Sequence, residues 1–114
     1  MTIQNFADEY YLHDSYFEDV LYDESSATVV MKINFCFWMQ DKFKEGDDEN
    51  GIMVAEFKEV SSFSYDGGEI DYESIGILKA YVKQDRIVFA LLDDFNDEYH
   101  ELSFAANRVN VTFK

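Results

Sequence analysis

The most regular pattern of apolar and polar positions along the chain lies in the stretch TVVMKINFCFWMQ, residues 28–40. Its alternate positions are apolar: Val29, Met31, Ile33, Phe35, Phe37 and Met39. A period of two is the spacing of a β-strand that buries one of its faces. The pattern therefore predicts a strand whose apolar side chains all face one core.

Other segments of five to nine residues share this spacing and are rich in Val, Ile, Phe and Tyr. They are SYFEDVLYD, IMVAEFKEV, IGILKAYV, RIVFALLD, YHELSFA and VNVTF. The polar stretches ESSA, KQD and ANR separate consecutive strands and have the length of hairpin connections. We therefore predict an all-β fold, either an antiparallel β-sandwich or a strongly curved sheet of seven to eight strands.

The opening NFADEYYL is the only candidate helix. Asn5 is placed to cap a turn or two, and Phe6 and Tyr10 share one face. A β-hairpin arm is the alternative there, so we expect at most one short N-terminal helix. No linker or repeat divides the 114 residues, and residues 1–114 are predicted to form a single β domain.

The chain carries a large excess of negative charge. The chain has 24 Asp and Glu against 9 Lys and Arg, a net charge of −15, and a sequence pI near 4.2. Binding to nucleic acid or to anionic membranes depends on Lys and Arg, so we expect neither as a partner. A basic protein partner is favoured, because opposite fields accelerate encounter.

The compartment is predicted from cysteine use and from the N-terminus. The chain has one cysteine, Cys36, which cannot form an internal disulfide. Its N-terminus, MTIQNFADEYYLHD, has no basic start and no apolar run of a secretion signal, and no segment reaches transmembrane length. A cytoplasmic location is expected.

The triplet His13, Asp14 and Ser15 raises the question of catalysis. Neighbours on an extended chain point in alternate directions, so they cannot align as nucleophile, base and orienting acid. A metal-dependent phosphohydrolase site needs further ligands, and His100 is the only other histidine. We expect a structural turn in which Asp14 or Ser15 accepts backbone N–H bonds and His13 packs on the sheet end.

The same region carries a resemblance to a known group. A Leu-His-Asp-Ser start at residues 12–15, a strand with interleaved acidic and apolar residues, a polar turn and a second alternating strand resemble small uncharacterised bacterial β-domains. Some members are regarded as immunity proteins of polymorphic toxin systems. The final ELSFAANRVNVTF is similar to the closing hairpin of that group, whereas the acidic middle and FCFWM depart from it. The resemblance implies a β-rich fold, no known catalytic residues and a toxin-neutralising role.

Metal and cofactor sites are weakly supported. Aligned with a calcium-binding EF-hand, GDDENG places Gly46 at the first ligand position and Phe57 at the twelfth, where carboxylates are required. Loop carboxylates offer calcium another set of ligands: Asp47, Asp48, Asp93, Asp94 and Asp97. A solvated acidic rim is the simpler interpretation, and we expect no cofactor and no metal.

These observations predict a non-catalytic acidic binding protein, in concrete terms an immunity protein that neutralises a basic toxin. The residues expected to bind the partner are Asp47, Asp48, Glu49, Asp93, Asp94, Asp97, Glu98 and Trp38. Two alternatives stay open at this point. One is a small hydrolase using loop carboxylates, and the other is a carbohydrate- or calcium-binding β-sandwich module.

Overall fold

The computed structural model describes residues 1–36, 50–66, 75–93 and 97–114. These residues form one helix and eight strands, in the following order along the chain. They are α1 (Ile3–Glu9), β1 (Ser15–Asp23), β2 (Thr28–Cys36), β3 (Asn50–Lys58), β4 (Ser61–Tyr65), β5 (Ile75–Lys83), β6 (Arg86–Asp93), β7 (Glu98–Ala105) and β8 (Arg108–Phe113).

All eight strands belong to one antiparallel sheet, in the order β4-β7-β6-β5-β1-β2-β3-β8. The predicted all-β class is confirmed, in the form of a single open sheet with one short helix. β2 follows its sequence pattern closely, because Met31, Ile33 and Phe35 are buried while Lys32 and Asn34 are exposed. Phe37, predicted for the same buried face, lies outside the described residues.

Aromatic packing shows how strongly the sheet curves. Phe57 on β3 lies near Phe89 on β6 and Phe104 on β7, with ring centroids 6.3 and 4.9 Å apart. Three strands separate β3 from β6 within the sheet. These rings can meet only because the sheet bends around a common core, which it shields from water on its concave side.

Helix α1 fills the concave side. Its N-cap is Thr2, whose hydroxyl accepts the Asn5 N–H, and the Asn5 side chain accepts the Thr2 N–H in return. The N-cap therefore lies three residues before the predicted one, and Asn5 is the second half of a capping box. Phe6 and Tyr10 do share a face, and the buried Phe6 ring lies 5.5 Å from Phe57.

Two of the three predicted hairpins are present, and the third is wrong. ESSA joins the paired strands β1 and β2, and Gln84 and Asp85 turn β5 into β6 with positive φ angles of 53° and 63°. The ANR stretch makes no hairpin, because β7 pairs with β4 and β6 while β8 pairs with β3.

The chain instead bends at ANR between two parts of the sheet. The β3–β4 junction bends beside it, where the Asn107 N–H donates to the Lys58 carbonyl and the Asn107 side chain donates to the Glu59 carboxylate. Both junctions turn corners, so that Phe104 before the bend and Val109 after it are buried in the same core.

Candidate partner-binding surface

The His13-Asp14-Ser15 segment is a structural connection into β1. Ser15 is fully buried, and its hydroxyl accepts the Cys36 backbone N–H at 3.1 Å. Its own N–H donates to the Leu12 carbonyl at 3.0 Å. Of the two acceptors expected from the sequence, it is Ser15 that bonds a backbone N–H, and its buried hydroxyl is not presented as a nucleophile.

The two residues before Ser15 attach this segment to β5. His13 Nδ1 lies 3.1 Å from the Leu78 carbonyl, and the Asp14 N–H donates to the Ile77 carbonyl at 3.1 Å. Asp14 has a φ of 64°, a left-handed conformation that Asp tolerates better than most residues. Its carboxylate is exposed and lies 3.5 Å from His13 Nε2. Asp14 therefore tolerates the left-handed turn and keeps its carboxylate in solvent.

The two ends of the sheet differ in their connections. We call one the loop end, because β1, β3, β5 and β7 begin there. The ranges 37–49, 67–74 and 94–96 lie outside the described residues, and each is flanked by described residues at the loop end. We call the opposite end the turn end, which holds the turns at 24–27 and 84–85 and the corners at 59–60 and 106–107.

Charge is distributed unequally between these ends. The described carboxylates at the loop end are Asp14, Asp66, Asp93, Asp97 and Glu98. Among described residues, the cations in this region are Lys114, whose N–H donates to the Ile52 carbonyl, and Lys79, which lies beside this end on β5. The ranges outside the described residues contain nine further carboxylates and two lysines in sequence, and these are not assigned to either end. The turn end is balanced, because Asp23, Glu24, Glu59 and Asp85 are accompanied by Lys58, Lys83, Arg86 and Arg108.

The predicted partner-binding residues occupy different environments. Asp97 and Glu98 are exposed at the loop end, which suits contact with a partner. Asp93 is only 7% exposed, because it lies on the concave face at the end of β6 opposite Ile75. Direct docking through Asp93 is therefore not supported. The remaining predicted contacts lie outside the described residues: Trp38, Asp47, Asp48, Glu49 and Asp94.

His100 ties two of the loop-end carboxylates together. Its Nδ1 lies 3.2 Å from Asp66 Oδ1, and its Nε2 lies 3.3 Å from Glu98 Oε2. Asp66 Oδ1 also accepts the Glu101 N–H at 3.0 Å. This network holds the end of β4 against β7 and fixes where both carboxylates point.

A second group of side chains lies on the convex face beside the loop end. We call Lys79, Tyr81, Tyr99 and Glu101 the tyrosine–glutamate surface. Glu101 Oε2 accepts both phenol O–H groups, from Tyr99 at 2.8 Å and from Tyr81 at 3.3 Å. Lys79 Nζ lies 5.0 Å from the centroid of the Tyr81 ring, within the range of a cation–π contact.

The register explains why this surface is ordered. Tyr81 is on β5 and Glu101 on β7, so their hydrogen bond crosses β6, where Val88 and Ala90 occupy the same face. Both of those apolar residues are buried although they point away from the core. The phenol of Tyr81 therefore shields β6 on the convex side.

The carboxylate changes the acidity of both phenols. The hydrogen bond to Glu101, with partial desolvation, raises the pKa of Tyr99 to about 12. Desolvation and the charge of Glu101 also raise the pKa of Tyr81. Both phenols are protonated at neutral pH, as ordinary tyrosines are, and act as neutral donors to Glu101; the raised pKa extends this state to higher pH.

Sequence reasoning missed the tyrosine–glutamate surface. Tyr99 and Glu101 are two residues apart on one strand, as are Lys79 and Tyr81, so each pair shares a face. This spacing is the available signal. It does not reveal that the two strands lie two positions apart in the sheet, which is what brings the pairs together.

Exposed aromatic rings also collect near the loop end. Tyr99 is 52% exposed, Tyr11 50%, Tyr16 40% and Phe113 45%. Tyr16 lies over Gly76 on the neighbouring strand, where an added Cβ would be 3.1 Å from the ring. Glycine there leaves room for the ring to lie flat on the sheet.

In the described part of the chain, no three His, Cys, Asp or Glu side chains are grouped so that they could hold a metal ion. Within the same residues, no helix combines the length and the apolar character that crossing a membrane requires. No family model, curated protein or solved structure matches the chain. The functional argument therefore rests on the surface itself.

Proposed function

We propose that this protein is a non-catalytic binding protein that docks a basic protein partner on its loop end, and that it acts in the cytoplasm as an immunity protein against a basic toxin. The observation that carries the proposal is the combination, at one end of the sheet, of carboxylates in excess and exposed aromatic rings. The immunity role has an additional basis, which is the resemblance of the Leu-His-Asp-Ser segment and the strands after it to the group that contains immunity proteins.

Electrostatic complementarity supports the choice of partner. Asp97, Glu98 and Asp66 are exposed beside few cations, so their combined field extends into solvent and attracts a positive surface. A basic toxin whose substrate is nucleic acid has such a surface around its cleft. Covering that cleft with carboxylates would exclude the substrate without any catalysis.

The aromatic rings supply what charge alone does not. Charged pairs at a wet rim mainly steer association, whereas buried Tyr, Trp and Arg side chains give most of the binding energy. Tyr11, Tyr16 and Tyr99 offer partly exposed rings close to the carboxylates. Rings surrounded by charged groups are the arrangement of many protein interfaces.

A pair of matched double variants tests the location of the site. Asp97→Asn with Glu98→Gln removes two charges at the loop end, and Asp85→Asn with Glu24→Gln removes two at the turn end. Asp97 and Asp85 have similar positive φ angles, 56° and 63°, and both glutamates are exposed. The two variants therefore match in residue types and net charge, and their aspartates also match in backbone conformation.

The partner is recovered from native cells at low salt, identified by mass spectrometry and purified for kinetic measurements. We expect a basic protein whose association rate falls severalfold for the loop-end variant and is unchanged for the turn-end variant. The association rate should also fall as salt rises, since the Debye length shortens from about 10 Å at 0.1 M to about 3 Å at 1 M. An acidic partner, or equal effects of both variants, would contradict the proposal.

Co-expression tests the immunity role separately. The purified partner's gene, expressed alone in a heterologous bacterial host, should arrest growth, and co-expression of this protein should restore it. The loop-end variant should restore growth less well than the turn-end variant at matched protein levels. A partner that is harmless when expressed alone would remove the immunity role and leave the binding role standing.

A further inference from the structure

We propose that the tyrosine–glutamate surface is the docking point for an arginine side chain of the basic partner. The inference rests on the proposed function and deepens it, because it names one contact point and the chemical group that fills it. The guanidinium would stack on the exposed Tyr99 ring and bond the Glu101 carboxylate.

Glu101 is a half-buried carboxylate whose hydrogen bonds come from neutral donors. Both phenols donate to the same oxygen, Oε2. Within the described ranges, no lysine or arginine nitrogen lies within 4 Å of this carboxylate. A carboxylate in a partly desolvated position, with one oxygen not engaged by the phenols, is suited to a charge-assisted bond from a cation.

Tyr99 provides the stacking face. Half of this residue is exposed, yet its hydroxyl is held by Glu101 at 2.8 Å, so the ring is fixed before a partner arrives. A ring that is already ordered loses little entropy on binding. The phenol is neutral at neutral pH, and its hydrogen bond to the carboxylate raises its pKa to about 12.

The neighbouring ring already receives a cation from within the chain. Lys79 Nζ lies over Tyr81, 5.0 Å from the ring centroid. This contact leaves Tyr99 as the more exposed ring of the surface. A cation from a partner would therefore occupy the Tyr99 side of Glu101.

Arginine fits this position better than lysine. Its guanidinium is planar, stacks on aromatic rings, and keeps several N–H donors in its plane to reach a carboxylate beside the ring. The ammonium of lysine is compact and more strongly hydrated, so it loses more water on stacking. The tyrosine–glutamate surface should therefore bind arginine more tightly than lysine. The electrostatic field of the loop end cannot distinguish the two, because their charges are equal.

The test uses two peptides of equal length and charge, one of alternating Gly and Arg and one of alternating Gly and Lys. They are titrated into the full-length protein labelled with ¹³C-tyrosine, at low salt, and followed by NMR. We expect the Arg peptide to bind roughly three- to tenfold more tightly than the Lys peptide and to shift the Tyr99 ring signals most. Glu101→Gln and Tyr99→Leu should each reduce this preference to near onefold.

Glu18→Gln and Tyr22→Leu are the matched controls, since each alters an exposed residue of the same type on β1. They should keep the arginine preference, and thermal melts will confirm that all four variants fold. Equal affinity of the wild-type protein for both peptides overturns this inference and leaves the proposed function intact. Failure of the wild-type protein to bind either peptide at low salt overturns both.

Discussion

Replacement of Ser15 by alanine distinguishes a structural role for the His-Asp-Ser segment from a catalytic one. The Ser15 hydroxyl accepts the Cys36 N–H at 3.1 Å, and both residues are buried, with exposed fractions of 0% and 3%. Alanine removes this acceptor from a place that water does not reach. A buried backbone donor that loses its partner costs about 1–3 kcal/mol.

For a chain of this length, 1 kcal/mol corresponds to a change in Tm of about 4 °C. Ser15→Ala should therefore lower Tm by about 4–12 °C. The matched control is Ser64→Ala, which removes a hydroxyl from an exposed strand position and should change stability by less than about 0.5 kcal/mol.

Denaturant unfolding and amide hydrogen exchange measure the effect. Exchange of the Cys36 N–H should accelerate in Ser15→Ala, whereas amides in the centre of the sheet should change only with global stability. The reasoning fails if Ser15→Ala is as stable as the Ser64→Ala control. A variant of unchanged stability that loses partner binding or an enzymatic rate would instead assign Ser15 a functional role.

Three further changes probe other parts of the molecule. Glu101→Gln should lower the pKa of Tyr99 from about 12 towards its ordinary value of 10, and a spectroscopic pH titration that finds no change would contradict the role given to Glu101. The raised pKa of Tyr99 stabilises the folded state at neutral pH, and this stabilisation is lost as pH rises through about 12. The free energy of unfolding of the Glu101→Gln variant should therefore fall less steeply at alkaline pH than that of the wild-type protein. Gln84→Asn with Asp85→Gly should stabilise the protein by roughly 0.5–1 kcal/mol in denaturant unfolding, since both positions have positive φ, and a lower stability would refute the turn geometry. Phe57→Ala should cost about 3–5 kcal/mol in the same assay, and a small loss would mean that its contacts with the rings of other strands do not hold the sheet in its curve.

Strands such as β2 were predictable because apolar residues alternate along them. Along β2, Val29, Met31, Ile33 and Phe35 are buried, and the residues between them are exposed or half-buried, as the sequence pattern requires. The KQD turn was also predictable from its length. Hairpins and strands of this kind depend on residues close together in the chain, so local sequence contains the information.

The pairing of β7 and β8 could not be predicted from local sequence. ANR has the length of a hairpin loop, but the strands beside it pair with β4, β6 and β3. Contacts between distant parts of the chain decide this outcome, including the Asn107 bond to the Lys58 carbonyl. The corner allows Phe104 and Val109 to be buried in one curved core, which a flat hairpin would not achieve.

The candidate site was predictable in its charge and not in its geometry. The sequence indicates an acidic surface, and Asp97 and Glu98 are exposed as expected, whereas Asp93 is buried by its position on the concave face. The sequence did not predict the contact of Tyr99 and Glu101 with Tyr81, because local sequence does not show where the strand of Tyr81 lies in the sheet. Composition predicts a basic partner, whereas only the topology shows which side chains lie together on the surface.

The crowding of carboxylates at the loop end predicts opposite salt dependences for the stability of the free protein and for its association with the proposed partner. Two like charges about 8 Å apart in water repel by about 0.5 kcal/mol, and salt at physiological concentration screens much of this repulsion. Added salt should therefore raise the Tm of the free protein and slow its association with a basic partner.

The matched double variants locate the source of both effects. Asp97→Asn with Glu98→Gln should weaken both salt dependences, because it removes charges that have few cationic neighbours. Asp85→Asn with Glu24→Gln should weaken neither, because lysines and arginines at the turn end already offset those charges. Differential scanning calorimetry and association kinetics across the same salt series provide the measurements. If the two variants respond alike, the acidity is a property of the whole surface, and the loop end loses its special role in attracting the partner.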